Sequence, residues 1–438
     1  MTPRRLLFGL FTSAFTLAAA AQTLTRGPYL QLLTPNSVVI RWRTDEPTTN
    51  YVHYGNSPGQ LDKLAWSAGM LTEHVVRVAG LKPHTKYFYS VGTINQTLAG
   101  GTEDFYFITA PEPGERRPVR VLVLGDSGTA TTNAAAVRMA YEKFTGDRPT
   151  DLWLMLGDNA YAHGTDAQYQ AAVFEMYPAL LRTSPLWPTM GNHDNRSCNA
   201  TTQSGIYYDI FTLPTQGQAG GLLSGTEAYY SYDYANVHFI CLDSEESDRS
   251  PEGLMPRWLK ADLAANKRDW TIAYFHHPPY TKGSHDSDAD DEESGGRLRE
   301  VREQILPMLE TGGVDLVLAG HSHSYERSFL IDRHYGNSKT FGAKFKKDVG
   351  DGREEGDGAY HKRTFGPTPH EGTVYVVAGS SGKKSGGTLD HPAMFTSTNA
   401  LGSLVLDINS NRLDATFINT RAEKLDHFTI IKGRKTRH

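Results

Sequence analysis

Leu152-Trp153-Leu154-Met155-Leu156-Gly157-Asp158-Asn159-Ala160-Tyr161 is the stretch on which the reading of this chain turns. Its first half is a continuous apolar run of strand length, the pattern of a strand buried on both faces. Gly157 ends the run, and a carboxylate and a phenol follow within four residues. In open α/β sheets ligands sit outside the carboxyl ends of the strands, which puts Asp158 and Tyr161 at the expected site. An aspartate there can divide its two oxygens between two metal ions. The plainer alternative is an Asp-Asn turn closed by a core tyrosine.

Working outward, the pattern repeats. The apolar run 119–124 ends in Gly125-Asp126-Ser127-Gly128, and a helix is expected over 133–144. After the central strand come a helix over 168–181 and the turn Met190-Gly191-Asn192-His193-Asp194. A hairpin pairing 229–234 with 237–243 leads to a helix at 256–266 and a strand at 270–275, which runs into His276-His277. A helix at 298–309 precedes the strand 314–319, which ends in Gly320-His321-Ser322-His323. Closing strands are expected at 373–378, 401–407, 413–419 and 428–432. Strand–helix alternation of this kind predicts an α/β or α+β domain with a mixed sheet.

Residues 27–110 read differently. The short β-branched or aromatic runs 38–42, 51–54, 75–78, 87–91 and 105–108 are separated by turn clusters, the pattern of a β-sandwich. Leu81-Lys82-Pro83-His84-Thr85-Lys86-Tyr87 resembles the tyrosine corner of a fibronectin III-like sandwich. No metal-ligand spacing occurs here, so a spacer role fits better than chemistry. Residues 111–118, rich in proline and charge, are expected to be a semi-rigid linker. The chain then divides into a targeting segment (1–21), a β-sandwich (22–110), the linker (111–118) and a catalytic domain (119–438).

The targeting segment has Arg4-Arg5, an apolar stretch to Leu17 and small residues up to Ala21, as a cleaved signal peptide does. It loosely suits a twin-arginine signal, and the expected address is secreted or periplasmic. At 438 residues the chain is too long for one ordinary core. A net charge of −5 gives no footprint for nucleic acid as a specific partner, and no body segment is apolar enough to span a bilayer. Cys198 and Cys241 could pair in an exported protein, but Cys241 lies in an apolar run and reads more simply as a small core residue. The acidic run within 282–296 and the glycine- and charge-rich segment 333–370 are expected to be loops.

Five loops thus carry oxygen or imidazole donors: Asp126; Asp158 with Tyr161; Asn192 with His193; His276; and His321 with His323. A lone histidine says little, but five such loops ending strands of one domain should converge on one rim. The motifs Gly125-Asp126-Ser127-Gly128, Gly157-Asp158-Asn159-Ala160-Tyr161, Gly191-Asn192-His193-Asp194, Ala273-Tyr274-Phe275-His276 and Gly320-His321-Ser322-His323 resemble those of the calcineurin-like metallophosphoesterases, and within them the purple acid phosphatases.

The resemblance implies a four-layer αββα sandwich with a dinuclear metal site on one edge, preceded by the fibronectin III-like sandwich. By that likeness the first metal takes Asp126, bridging Asp158, Tyr161 and His323, and the second takes Asp158, Asn192, His276 and His321. Most of the superfamily has histidine where Gly128 stands, and here Tyr161 supplies a phenolate instead. Such hard anionic donors suit Fe(III), while Asn192 and two histidines suit Zn(II), Mn(II) or Fe(II). With a bridging hydroxide the formal charge of such a centre is about +1, which suits a small phosphorylated substrate. The metals would activate a hydroxide that attacks the phosphate monoester in line, with Asp158 as the bridging catalytic ligand.

Asn192, His193 and His285 are the expected substrate contacts, with His193 protonating the leaving oxygen. Asp286 departs from the plant-type second histidine after His285, and Asp194 from the usual glutamate. One alternative keeps the metals for phosphodiesters or nucleotides; another is an adhesion protein with a vestigial metal site. The sequence leaves the oligomeric state open.

Overall fold

The computed structural model describes residues 22–289 and 294–433. The expected targeting segment at 1–21 and Asp290, Asp291, Glu292 and Glu293 of the acidic run lie outside the described residues.

Six antiparallel strands, from Leu24–Gln31 to Tyr106–Ile108, make the N-terminal sheet. The runs 38–42 and 51–54, expected as two strands, lie on one 19-residue strand, Ser37–Gly55. Register shifts between Arg43, Thr48 and Asn50 bend it at its polar middle. Its first half pairs with Leu24–Gln31 and its second half with Lys86–Gly92. Leu24–Gln31 escaped the sequence reading because Gly27-Pro28 interrupts it. The register breaks there, as strands accommodate proline at bulges. Lys82 N donates to the Tyr87 hydroxyl at 3.1 Å, which makes the tyrosine corner.

Two seven-stranded sheets form the α/β sandwich that follows. In one, Val119–Leu124, Leu152–Leu156 and Leu186–Thr189 are parallel neighbours, extended by the antiparallel strands Gly402–Asn409, Arg412–Asn419 and Lys424–Lys432. In the other, Val237–Cys241, Trp270–Phe275, Leu316–Ala319 and Val374–Ala378 are parallel. These parallel strands are fully buried, which explains their unbroken apolar sequences. Each successive parallel pair needs a crossover, supplied by helices such as Thr132–Thr145 and Leu254–Ala265.

The helix expected over 168–181 is interrupted. A capped turn, Asp166–Tyr169, passes into a wide turn, Gln170–Phe174, and a new helix starts at Pro178. Proline cannot donate into the preceding turn, so the pieces stay separate. The segment 333–370, read as loop throughout, contains the strands Lys346–Asp348 and Tyr360–Lys362. Three-residue strands carry too short a pattern to be read. Cys198 and Cys241 are both free thiols.

The two halves are joined by polar anchors. Asp166 accepts from both Arg26 (2.8 Å) and Arg43 (2.6 and 2.7 Å), and the Tyr29 hydroxyl donates to Ile210 O at 2.6 Å. In the segment between them, Gly114 N donates to Ala235 O and Arg116 pairs with Asp269.

Candidate metal centre

The carboxyl ends of the parallel strands deliver the donors. Asp126 follows Val119–Leu124, Asp158 follows Leu152–Leu156, Asn192 follows Leu186–Thr189, His276 follows Trp270–Phe275, and His321 follows Leu316–Ala319. Asp126, Asp158 and His321 hold φ of 54°, 53° and 64°. Three non-glycine residues in this sparsely populated region, at one site, mark a backbone held in place by its surroundings. The glycines beside them give clearance. A Cβ on Gly157 would lie 2.5 Å from His276 Nδ1, one on Gly191 2.3 Å from Asp158 Oδ1, and one on Gly320 2.6 Å from Asp126 Oδ2.

The side chains converge. Ligating atoms of Asp126, Asp158 and His276 lie within 4.8 Å of one another. His276 Nε2 lies 3.2 Å from His321 Nδ1, 3.0 Å from Asn192 Oδ1 and 3.4 Å from Asp158 Oδ1. The Tyr161 hydroxyl lies 3.1 Å from Asp126 Oδ1 and 3.3 Å from His323 Nε2. Every residue expected to bind metal is therefore in one cluster, and nearly all of it is buried.

The proton of His276 is placed to leave a lone pair facing inward. His276 Nδ1 meets Leu156 O at 2.8 Å, and since a carbonyl only accepts, that nitrogen carries the proton. His321 turns Nε2 to Ser294 Oγ and His323 turns Nδ1 to Ser385 Oγ, fixing each ring as outer partners of metal-binding histidines do. Burial lowers the imidazole pKa of His276, holds that of His321 well below its usual value, and pulls that of His323 to about 3. Neutral imidazoles are the form that binds a cation.

Burial, and then the neighbouring Asp158, raise the Asp126 carboxyl well above its ordinary range. Burial, then Asp126 and Asp158, do the same to the Tyr161 phenol. With its proton on Nδ1, His276 turns an acceptor, Nε2, towards Asn192 Oδ1 at 3.0 Å beside two buried carboxyls, an unfavourable arrangement that a cation between them relieves. The donor set fits metal ions.

The bland Asp-Asn turn is also partly right. Asn159 and Gly191 donate to Asp194, as does the Tyr169 hydroxyl at 2.7 Å, so Asp194 ties the Asp158 and Asn192 loops together. Burial, then Asp158, push Asp194 up to about 7. Gly128 has no room for the histidine that the sequence resemblance would lead one to expect there, because a Cβ would lie 2.3 Å from the Asn159 carbonyl carbon.

Around the rim, His193 gives its backbone N–H to Asp158 Oδ1 (3.0 Å), its Nδ1 lies 2.8 Å from Ala162 O, and its ring meets that of Tyr161 at 4.5 Å. His285 stacks on His321 with ring centroids 3.9 Å apart. His277 sits behind His276, with Nδ1 2.9 Å from Ser244 Oγ. Ser294, Ser385 and Lys383 were not anticipated. Each sits on a loop far from the motifs in sequence, and serine or lysine in a loop carries no spacing signal. A separate group, Glu310, Asp332 and His370, is satisfied by its own partners, among them Tyr335, Tyr375 and Lys347.

A family model described as calcineurin-like phosphoesterase matches residues 119–325, and one described as the purple acid phosphatase N-terminal domain matches 26–109. Purple acid phosphatase 21 of Arabidopsis thaliana is 28% identical over 315 residues, 68% of this chain and 65% of its own length. The purple acid phosphatase of Glycine max is 26% identical, with 68% and 63% covered. The chain therefore spans a little under two thirds of these relatives. The structure of a purple acid phosphatase, PPD1, from yellow lupin (Lupinus luteus) seeds shares the fold, with a TM-score of 0.69 over 93% of this chain and 75% of that one, at 18% identity.

Proposed function

We propose that this chain, a calcineurin-like phosphoesterase domain joined to a purple acid phosphatase N-terminal domain, is an exported dinuclear-metal acid phosphatase acting on phosphate monoesters. The observation that carries the reading is the inward-facing cluster of potential ligands, with His276 Nε2 and His321 Nδ1 3.2 Å apart beside two buried carboxyl groups. Asp126, Asp158, Tyr161 and His323 would hold Fe(III), and Asp158, Asn192, His276 and His321 a divalent ion. The ions, when bound, supply Lewis acidity towards the phosphoryl oxygens and activate water.

The chain's own residues do the rest. Asp158 stands between the two donor groups and also accepts the His193 N–H, so it fixes the metal-binding rim to the acid–base group. Engagement of His193 Nδ1 by Ala162 O leaves Nε2 as the nitrogen able to give a proton to the departing alkoxide. His285, stacked on His321, is the opposite wall for the ester group. Export draws its support from the signal-like N-terminal sequence.

Asp158→Ala and His276→Ala should each abolish hydrolysis of 4-nitrophenyl phosphate by the metal-loaded protein while the fold, read by circular dichroism, is retained. Turnover at the wild-type rate in either variant would overturn the assignment.

A further inference from the structure

The loop after the strand Val374–Ala378 reads Gly379-Ser380-Ser381-Gly382-Lys383-Lys384-Ser385 and is pinned at both ends to the donor motifs. Gly379 N donates to Ser324 O (3.1 Å), Ser381 N to Gly125 O (3.1 Å), and Ser385 N to His323 O (3.2 Å). Its glycines are required by proximity: a Cβ on Gly379 would lie 2.8 Å from Asp126 Oδ2, and one on Gly382 2.8 Å from Asp126 O. A segment held this closely cannot swing away from the site without breaking those contacts. It carries Lys383 to the rim.

The Lys383 ammonium lies 5.1 Å from the centroid of the Tyr161 ring, within cation–π range. Tyr161 meets Asp126 and His323 through its hydroxyl and His193 through its ring. Lys383 is exposed and, among the described residues, forms no ion pair with a carboxylate, whereas Lys282 on the neighbouring loop is paired with Asp286 and Asp288. A cation held over a site ring without an ion pair can meet a ligand anion, although Asp126 also lies within its electrostatic reach. The ammonium stands at the rim of the site, over the ring of Tyr161.

We infer that Lys383 is a second anion subsite, which selects substrates whose leaving group carries its own phosphate, such as phosphoanhydrides and bisphosphorylated esters. One phosphate occupies the metal-facing position and the next reaches the ammonium. Lys383 is here a specificity residue: it binds the part of the substrate that departs and takes no proton. This inference rests on the phosphatase reading for its catalytic meaning but not for its binding chemistry, so binding and turnover are measured separately.

The test is equilibrium binding of inorganic pyrophosphate and of orthophosphate to the metal-loaded full chain by calorimetry, alongside turnover of pyrophosphate and 4-nitrophenyl phosphate. Wild type should bind pyrophosphate about tenfold more tightly than orthophosphate. Lys383→Ala should remove that margin, weaken pyrophosphate binding far more than orthophosphate binding, and raise KM for pyrophosphate more than KM for 4-nitrophenyl phosphate. Lys383→Arg should restore the margin, and Lys384→Ala should keep it. An equal loss for both anions, or no loss for pyrophosphate, would overturn the subsite. A wild type that binds both anions with this margin but turns over neither pyrophosphate nor 4-nitrophenyl phosphate would instead sink the phosphatase reading and leave the subsite standing.

Discussion

Gly128 stands two residues after Asp126 in the first donor loop and carries no side chain. Its missing side chain is not spare space, since a Cβ would press on the Asn159 carbonyl, in the loop that carries Asp158 and Tyr161. Gly128→His should therefore not add a ligand. It should displace that loop and cost about 1–3 kcal/mol of stability, seen as a lower midpoint in urea. Unchanged stability with a new imidazole ligand, detected by loss of the tyrosinate band, would show the site to be roomier than the geometry allows. His193 makes a second prediction at this scale. If it protonates the leaving oxygen, His193→Ala slows esters of weakly acidic alcohols far more than 4-nitrophenyl phosphate, by about 10²-fold or more. Equal slowing of all esters would leave His193 a structural role only.

At the scale of elements, the hairpin Tyr230–Tyr234 and Val237–Cys241 carries a buried charge relay away from the metal cluster. His238 Nδ1 lies 2.8 Å from Asp233 and Nε2 2.8 Å from Asp262, on the helix Leu254–Ala265, with Arg268 3.4 Å from Asp233. Burial disfavours the imidazolium, but the two carboxylates outweigh it and raise the pKa to about 9. The folded state thus holds a proton that the unfolded chain releases near 6.5. The contribution is complete below pH 6.5 and is lost as pH rises through 9, a change of about 3 kcal/mol. Wild type should lose more stability than His238→Gln between pH 6.5 and 9 in chemical denaturation. Parallel profiles for the two proteins would show that the pair carries no linked proton.

The same elements show what was legible before the structure. The parallel strands announced themselves because burial on both faces demands unbroken apolar sequence, and the donors followed directly from their ends. The Ser37–Gly55 strand was split because its polar middle, Asp45-Glu46-Pro47, reads as a turn although it is a bulged strand. The segment 168–181 was joined because its apolar spacing ignores Pro178. Ser294, Ser385 and Lys383 were invisible for another reason. Their positions are set by tertiary closure of loops, and no local pattern encodes that.

At the scale of the molecule, the site exists only where two sheets meet. The His321 N–H donates to Asp126 Oδ2 across 195 residues, and His276 reaches Leu156 O across 120. No single supersecondary unit contains both donor groups, so the candidate metal-binding rim forms only when the two sheets of the α/β sandwich come together. The N-terminal sheet meets this domain at Asp166, on the turn that leads to Tyr169 and so to Asp194. It thus supports the loops from outside and adds no donor of its own to the cluster. Among the described residues no helix is long and apolar enough to cross a membrane.

The measurement closest to the central claim is metal content together with the visible absorption spectrum of the purified protein, run beside Tyr161→Phe. Burial holds the Tyr161 phenol protonated unless a strongly acidic cation draws out its proton, so a tyrosinate charge-transfer band reports that cation directly. The predicted result is one iron and one divalent metal per chain, with a purple band that disappears in Tyr161→Phe. Protein without stoichiometric metal after reconstitution, or a band that survives the substitution, would contradict it.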